Sequence, residues 1–203
     1  MPALSPRARN KKTILDEKCF KIFSELSRDG RVGVRCLGRR LGLSHPVVSE
    51  RLRSLLGSGF LRVLPCFNLG KLGLRLVAIS VDVGSREDLT LLVEKLRSCR
   101  WVVLLFTLAG EYNLLVVLAV KDLSFVECLV GKRIRGMPGV KKLSIGLVGE
   151  PVSPGFIPLS QGFFDGEEPV CGESCDQCSD YLERRCPGCT PLTPNTTNVI
   201  NHD

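Results

Sequence analysis

The stretch Leu15–Leu61, LDEKCFKIFSELSRDGRVGVRCLGRRLGLSHPVVSERLRSLLGSGFL, carries three helix-length apolar patterns, with a turn at Gly42-Leu43 before the third. Leu15, Cys19, Ile22, Phe23 and Leu26 recur at helical spacing, so a first helix buries one stripe. Asp16 and Glu17 sit in its first turn, where the helix dipole favours acids. Gly30 ends that helix, and Val34, Leu37 and Leu41 define a short second one closed by Gly42. Ser44 is a good N-cap for the third, and Pro46 falls in the first turn, where its missing N–H costs nothing. Val47 or Val48, with Leu52, Leu55 and Leu56, packs this helix inward. Such a trio is the pattern of a helix-turn-helix, and the following FLRVLPCFNL alternates loosely enough to predict wing strands.

A winged helix-turn-helix offers its third helix to the DNA major groove. The charge is placed to match. Residues 1–68 hold 14 Lys and Arg against 5 Asp and Glu, a net of +9; residues 69–160 net +4, and residues 161–203 net −6. Phosphate neutralisation would then supply much of the affinity for double-stranded DNA and make it fall steeply with salt. On the outward face of the third helix lie His45, Ser49, Glu50 and Arg53, which with Ser44 and Arg51 are the candidates for DNA contact, while Arg62 beyond it is available to a phosphate. Residue type alone does not separate base readout from phosphate positioning for any of them.

The run LGLSHPVVSERLRSLLGSGFL, with Ser44, Val48, Arg51, Leu55 and Gly59 at these offsets, resembles the helix-turn-helix of Lrp/AsnC transcriptional regulators. The likeness continues: Leu74–Val83 reads as a strand, Ser85–Cys99 as a helix, Val102–Thr107 and Leu114–Val120 as strands, Leu123–Ile134 as a helix and Val140–Leu147 as a strand. This βαββαβ order resembles the family's effector and oligomerisation domain. GEYNLLV at Gly110–Val116 is similar to its Gly-x-Tyr-Asp turn, and MPGV at Met137–Val140 to its Pro-Gly-Val before the last strand. The resemblance implies a homodimer that places two recognition helices on a pseudo-palindromic site, with octamers as a further assembly. It also implies a small-molecule effector site at Gly110, Tyr112 and Asn113. There the chain departs from the family, because Asn113 stands where an acidic residue is usual and offers only a neutral amide to an α-amino group.

The expected fold class is therefore α+β: an N-terminal winged helix-turn-helix, a βαββαβ ferredoxin-like effector domain and a small Cys-rich C-terminal module. The boundaries read as a basic arm 1–14, the DNA-binding domain 15–68, the effector domain 69–150, a Pro/Gly-rich linker 151–170, the Cys-rich module 171–189 and a polar tail 190–203.

That module, CGESCDQCSDYLERRCPGC, holds five of the ten cysteines: Cys171, Cys175, Cys178, Cys186 and Cys189. It contains two Cys-x2-Cys pairs, a spacing that lets two thiolates converge on one metal. Zn²⁺ suits four such ligands, most simply Cys175, Cys178, Cys186 and Cys189. An iron–sulfur cluster and redox disulfides are the alternatives. The first three cysteines also match the cluster spacing of radical-SAM enzymes, but those need a large barrel around the cluster. Cys36, Cys66, Cys99 and Cys128 lie on or beside predicted elements and read as packing.

No apolar run reads as a signal peptide or membrane span, since Gly110, Glu111 and Asn113 interrupt Trp101–Val120; a cytoplasmic, non-enzymatic regulator is expected. The alternatives are a weakly specific architectural DNA binder and an enzyme resembling the sirohaem decarboxylases of the same architecture. The latter carry a histidine where this chain has Gly110, and His45 and His202 are its only histidines.

Overall fold

Asp16 sets the start of the first helix. Its Oδ1 accepts the Cys19 amide at 3.0 Å, so it caps α1 (Glu17–Arg28) from just outside rather than lying in the first turn, which Glu17 occupies. The computed structural model describes residues 15–149, 155–159 and 175–186. The chain divides into two units at Leu64/Pro65, four residues ahead of the boundary expected from sequence.

In the first unit α2 (Val34–Leu41) ends at Gly42 in the left-handed conformation, and α3 (His45–Gly57) follows after one intervening turn. Ser44 holds the cap position of α3, but its side chain makes no capping bond. Cys19, Ile22 and Leu55 form the buried centre, with Phe23, Leu26, Leu41, Leu52 and Leu61 packed against them; Leu37 and Val48 are buried as well. Two residues assigned inward by periodicity point out: Leu56 is 48% exposed and Leu15 38%. The inward stripe runs 48, 52, 55, and Leu56 lies one position past it.

The wing strands expected between Phe60 and Leu69 do not form. Residues 61–65 are irregular, and the strand β1 (Cys66–Phe67) belongs to the second unit, where it pairs antiparallel with β6 (Ile157–Pro158). A hairpin needs a turn sequence between its arms; the run offers none, and Pro65 removes a ladder donor. Residues 155–159 thus lie inside the stretch read as a linker, yet Ile157 and Leu159 join the buried core.

The second unit is a four-stranded antiparallel sheet in the order β3-β4-β2-β5, from β2 (Arg75–Val83), β3 (Val102–Thr107), β4 (Leu114–Val120) and β5 (Val140–Val148). Two helical segments connect the strands: α4 (Arg86–Arg97), and α5 (Ser124–Leu129) continued by a π-helical turn, Val130–Arg135. Alternation decides the faces. Val77, Ile79, Val81 and Val83 of β2 are all buried and share their face with Leu114, Val116, Leu118 and Val120 of β4, against Leu92 and Leu96 of α4. The opposite face carries Leu76, Ala78 and Ser80 of β2, Leu115 and Val117 of β4 and Leu104 and Phe106 of β3. It is only partly covered, and Phe106 is 50% exposed.

Ser85 caps α4, accepting the Asp88 amide at 3.1 Å while its hydroxyl donates back to the Asp88 carboxylate at 2.7 Å. The MPGV motif packs on this cap. Gly139 has φ 74°, its carbonyl accepts the Gly84 amide at 2.7 Å, and a Cβ there would collide with Asp88. The motif's glycine is therefore required by close approach as well as by φ. Among the described residues no helix is long and apolar enough to cross a membrane.

Candidate nucleic-acid interface and effector turn

The turn between α2 and α3 rests on a glycine. Gly38 is buried inside α2, its carbonyl accepts the Leu43 amide at 2.8 Å, and a Cβ built on it would lie 2.7 Å from the Leu43 carbonyl oxygen. Periodicity overlooks this residue because it has no side chain to count. Its signal is a glycine in a helix interior, which costs stability unless another backbone comes close.

Of the residues named for DNA contact, His45, Glu50 and Arg53 are exposed on α3 and Ser49 is half-buried; none is engaged by another side chain among the described residues. Arg62 is exposed beside a cleft lined by Phe23, Leu26 and Phe60. Arg51 is placed otherwise. Its guanidinium donates to Asp16 Oδ1 at 2.8 Å and to the Cys19 sulfur at 3.4 Å, tying α3 to the start of α1. The helical stripe could have shown this, since Arg51 follows Val48 by three and precedes Leu55 by four, on the inward face. Burial works against the Arg51 charge, but its bonds to Cys19 and Asp16 hold the proton more firmly than usual. Glu25 similarly draws in Arg40 at 2.8 Å and Arg28 at 3.3 Å. That leaves Arg35 and Arg39, an exposed i, i+4 pair on α2 that the sequence reading passed over, without a carboxylate partner among the described residues.

Asp16 supplies a pH dependence. The Cys19 amide, then the Arg51 guanidinium, hold its carboxyl below the usual aspartate value. A depressed folded-state pKa contributes stability that is present above the unfolded value and lost as pH falls through the folded one. The melting midpoint of the first unit should drop from about pH 4 downward. Asp16→Asn, which keeps the capping oxygen, should flatten that dependence in circular-dichroism melts.

In the second unit the predicted turn residues make contacts within the domain. Asn113 turns its amide to the end of β2: Nδ2 donates to the Val83 carbonyl at 2.6 Å and Oδ1 accepts the Val83 amide at 3.0 Å. Its backbone N–H donates to the Val81 carbonyl, and its carbonyl accepts the Leu108 amide. The amide therefore fastens a turn. The acidic group of this turn is Glu111, which pairs with Lys142 of β5 at 2.8 Å and raises the Lys142 pKa; the same ammonium lies 5.0 Å from the Tyr112 ring centroid. Gly110 is exposed at the tip.

Cys175, Cys178 and Cys186 fall among the described residues, and Cys171 and Cys189 lie outside them, as do the basic arm 1–14 and the tail 190–203. Of the four read as packing, Cys99 is buried, Cys36 and Cys128 are half-buried and Cys66 is exposed; Cys19 is buried in the first unit.

The fold agrees with known proteins. Residues 75–155 match the model of the Lrp/AsnC ligand binding domain. The leucine-responsive regulatory protein of Escherichia coli K12 is 30% identical over 145 residues, spanning 68% of this chain and 87% of that protein. The HTH-type transcriptional regulator LrpA of Pyrococcus horikoshii is 27% identical over 131 residues, 64% of this chain and 93% of its own. Among solved structures, E. coli AsnC superposes with a TM-score of 0.60 at 16% identity, over 68% of this chain and 95% of that one. A Neisseria meningitidis transcriptional regulator solved with L-Met gives 0.60 at 23%, over 69% and 93%. These likenesses, with the βαββαβ sheet and the helical unit ahead of it, make this chain a member of the Lrp/AsnC family of transcriptional regulators.

Proposed function

We propose that the protein is a sequence-specific DNA-binding regulator that acts as a homodimer. The observation that carries this reading is the division of α3 into two faces. Val48, Leu52, Leu55 and Arg51 are consumed within the unit, while His45, Ser49, Glu50 and Arg53 face away from it on one helix. With α3 in the major groove, Arg53 reads a guanine edge, Glu50 accepts from a cytosine amine, and Arg35, Arg39 and Arg62 hold phosphates. Arg51 positions α3 and makes no base contact. A second copy is the natural cover for the half-open sheet face around Leu104, Phe106, Leu115 and Val117. A small amino-acid-like effector is the ligand class suggested by the L-Met complex of the Neisseria protein. With the Asn113 amide bound to Val83, recognition of an α-amino group falls to Glu111.

Arg53→Ala separates base reading from phosphate gripping. It should weaken binding to the specific site by about 1–3 kcal/mol, roughly five- to 150-fold, and leave random-sequence DNA nearly unaffected. Arg39→Ala should weaken both alike and reduce the salt slope by about one. Fluorescence anisotropy on the two DNAs at several salt concentrations distinguishes the patterns; equal losses from Arg53→Ala would remove it from base readout.

A further inference from the structure

Among the described residues, the strand β5 (Val140–Val148) closes one side of the four-stranded sheet and has no ladder partner on its outer edge. We propose that this edge pairs antiparallel with the same edge of a second copy, joining two four-stranded sheets into one of eight strands, through a surface separate from the open sheet face.

The helix side of the sheet shows the need for such a neighbour. Register places Leu147 beside Val77, Ile145 beside Ile79 and Leu143 beside Val81, all on the face that the helices cover. Val77 and Ile79 are fully buried, yet Leu147 is 68% exposed and Ile145 44%. The helices therefore shield β2 and β4 and stop short of β5. A copy stacked on the opposite face, around Phe106, leaves these side chains in water, whereas a strand added beside β5 covers them.

The backbone of the edge is open in the same place. The Asn113 N–H donates to the Val81 carbonyl and the Gly84 N–H to the Gly139 carbonyl, so odd-numbered residues of β2 turn their polar groups to β4 and even-numbered ones to β5. Ser80 with Ser144 and Ala78 with Gly146 are then bonded pairs, and Leu143, Ile145 and Leu147 aim their N–H and C=O groups outward. Lysines and bulges are common guards of an edge. Here Lys141, Lys142 and the register shift at Asp82/Val83 all lie at one end of β5, and Ser144–Val148 has none of them. The same lysines select the partner's direction. A parallel copy would set them about 5 Å from their mates. Antiparallel pairing about a two-fold axis at Ile145 sets the two Lys142 residues about 20 Å apart, beyond the Debye length of about 8 Å. In that register Ile145 opposes its own mate, Leu143 opposes the partner's Leu147 and Lys142 opposes the partner's Val148, an uncharged residue. About six ladder bonds form. A strand from another protein would meet the same backbone groups, but a second copy also brings the matching apolar strip, so each copy covers the other's.

The test uses the full chain and does not depend on the DNA reading. Ile145→Lys sets two ammonium groups face to face on the two-fold axis, at a position exposed enough to keep the fold. Fluorescence of Trp101, buried in the same unit, verifies that each variant is folded. In analytical ultracentrifugation at micromolar concentration, the particle mass of Ile145→Lys should fall at least two-fold below that of the parent. Under mild oxidation Ile145→Cys should form a disulfide to the same position of another copy, identified by mass spectrometry. Ser144→Cys, whose two copies lie about 8 Å apart in this register, should not. Adding Phe106→Lys, which disturbs the open face, should leave the Ile145→Cys link intact, so the two interfaces fail separately. A folded Ile145→Lys variant of parent mass, an Ile145→Cys variant without its link, or a Ser144→Cys link in its place would each overturn the proposal.

Discussion

Gly38→Ala should strongly destabilise the helix-turn-helix unit while leaving the effector domain unaffected. The new Cβ would sit 2.7 Å from the Leu43 carbonyl oxygen, a backbone atom in the tightest part of the α2–α3 turn. A flexible side chain could rotate away; this carbonyl moves only if the turn opens, which carries α3 and its buried Val48 and Leu55 with it. Overpacking of this kind costs about 3 kcal/mol. A unit of some fifty residues has a total stability of roughly 3–7 kcal/mol, so the substitution removes a large share of it. The usual helix-propensity gain from Gly to Ala, about 1 kcal/mol, does not offset this. The single tryptophan, Trp101, lies in the second unit, packed on Phe125 with ring centroids 5.4 Å apart. Melts followed by tryptophan fluorescence should match the parent protein, while circular dichroism should show an early helical transition. A parent-like dichroism curve would remove the close approach from the account.

Asn113→Asp should destabilise the second unit, with an unusual recovery at low pH. The Asn113 amide both donates to and accepts from Val83 at the end of β2. A carboxylate can only accept, so the substitution leaves the Val83 carbonyl without its donor and sets a negative charge against it. A half-buried polar mismatch of this kind costs about 1–3 kcal/mol, with charge toward the upper end. The opposed carbonyl raises the folded-state pKa of the new carboxyl. For an acid raised on folding, stability is regained as pH falls through that value, because the protonated form can donate to Val83. The tryptophan-monitored midpoint of the variant should therefore approach that of the parent between about pH 7 and pH 4. A deficit independent of pH would mean that the amide's donor role is not what holds the turn.

Helix ends and the sheet were readable because they rest on local chemistry. Gly42 marks a backbone end, and the alternation from Leu76 to Val83 assigns the faces of β2 without knowledge of its neighbours. What escaped rests on partners distant in the chain. Asn113 reaches Val83 across 30 residues and Arg51 reaches Asp16 across 35, so a turn residue became a clamp and a base-contact candidate became a strut. Cys66 and Phe67 looked like a wing strand, and their partner strand, Ile157–Pro158, comes only after the whole sheet domain. The candidate DNA surface was legible in part. His45, Ser49, Glu50 and Arg53 follow from helical geometry, whereas Arg35 and Arg39 stand out only once Glu25 has taken Arg40 and Arg28.

These distinctions narrow what a DNA-binding experiment must show. If α3 reads bases, discrimination between sequences comes from its outer face and should survive at salt concentrations that suppress phosphate attraction. The most direct measurement is the ratio of dissociation constants for random-sequence DNA and for DNA upstream of the protein's own gene, at one fixed, near-physiological salt concentration. The account predicts tighter binding to the upstream DNA by about a thousand-fold or more. A ratio near one would contradict it.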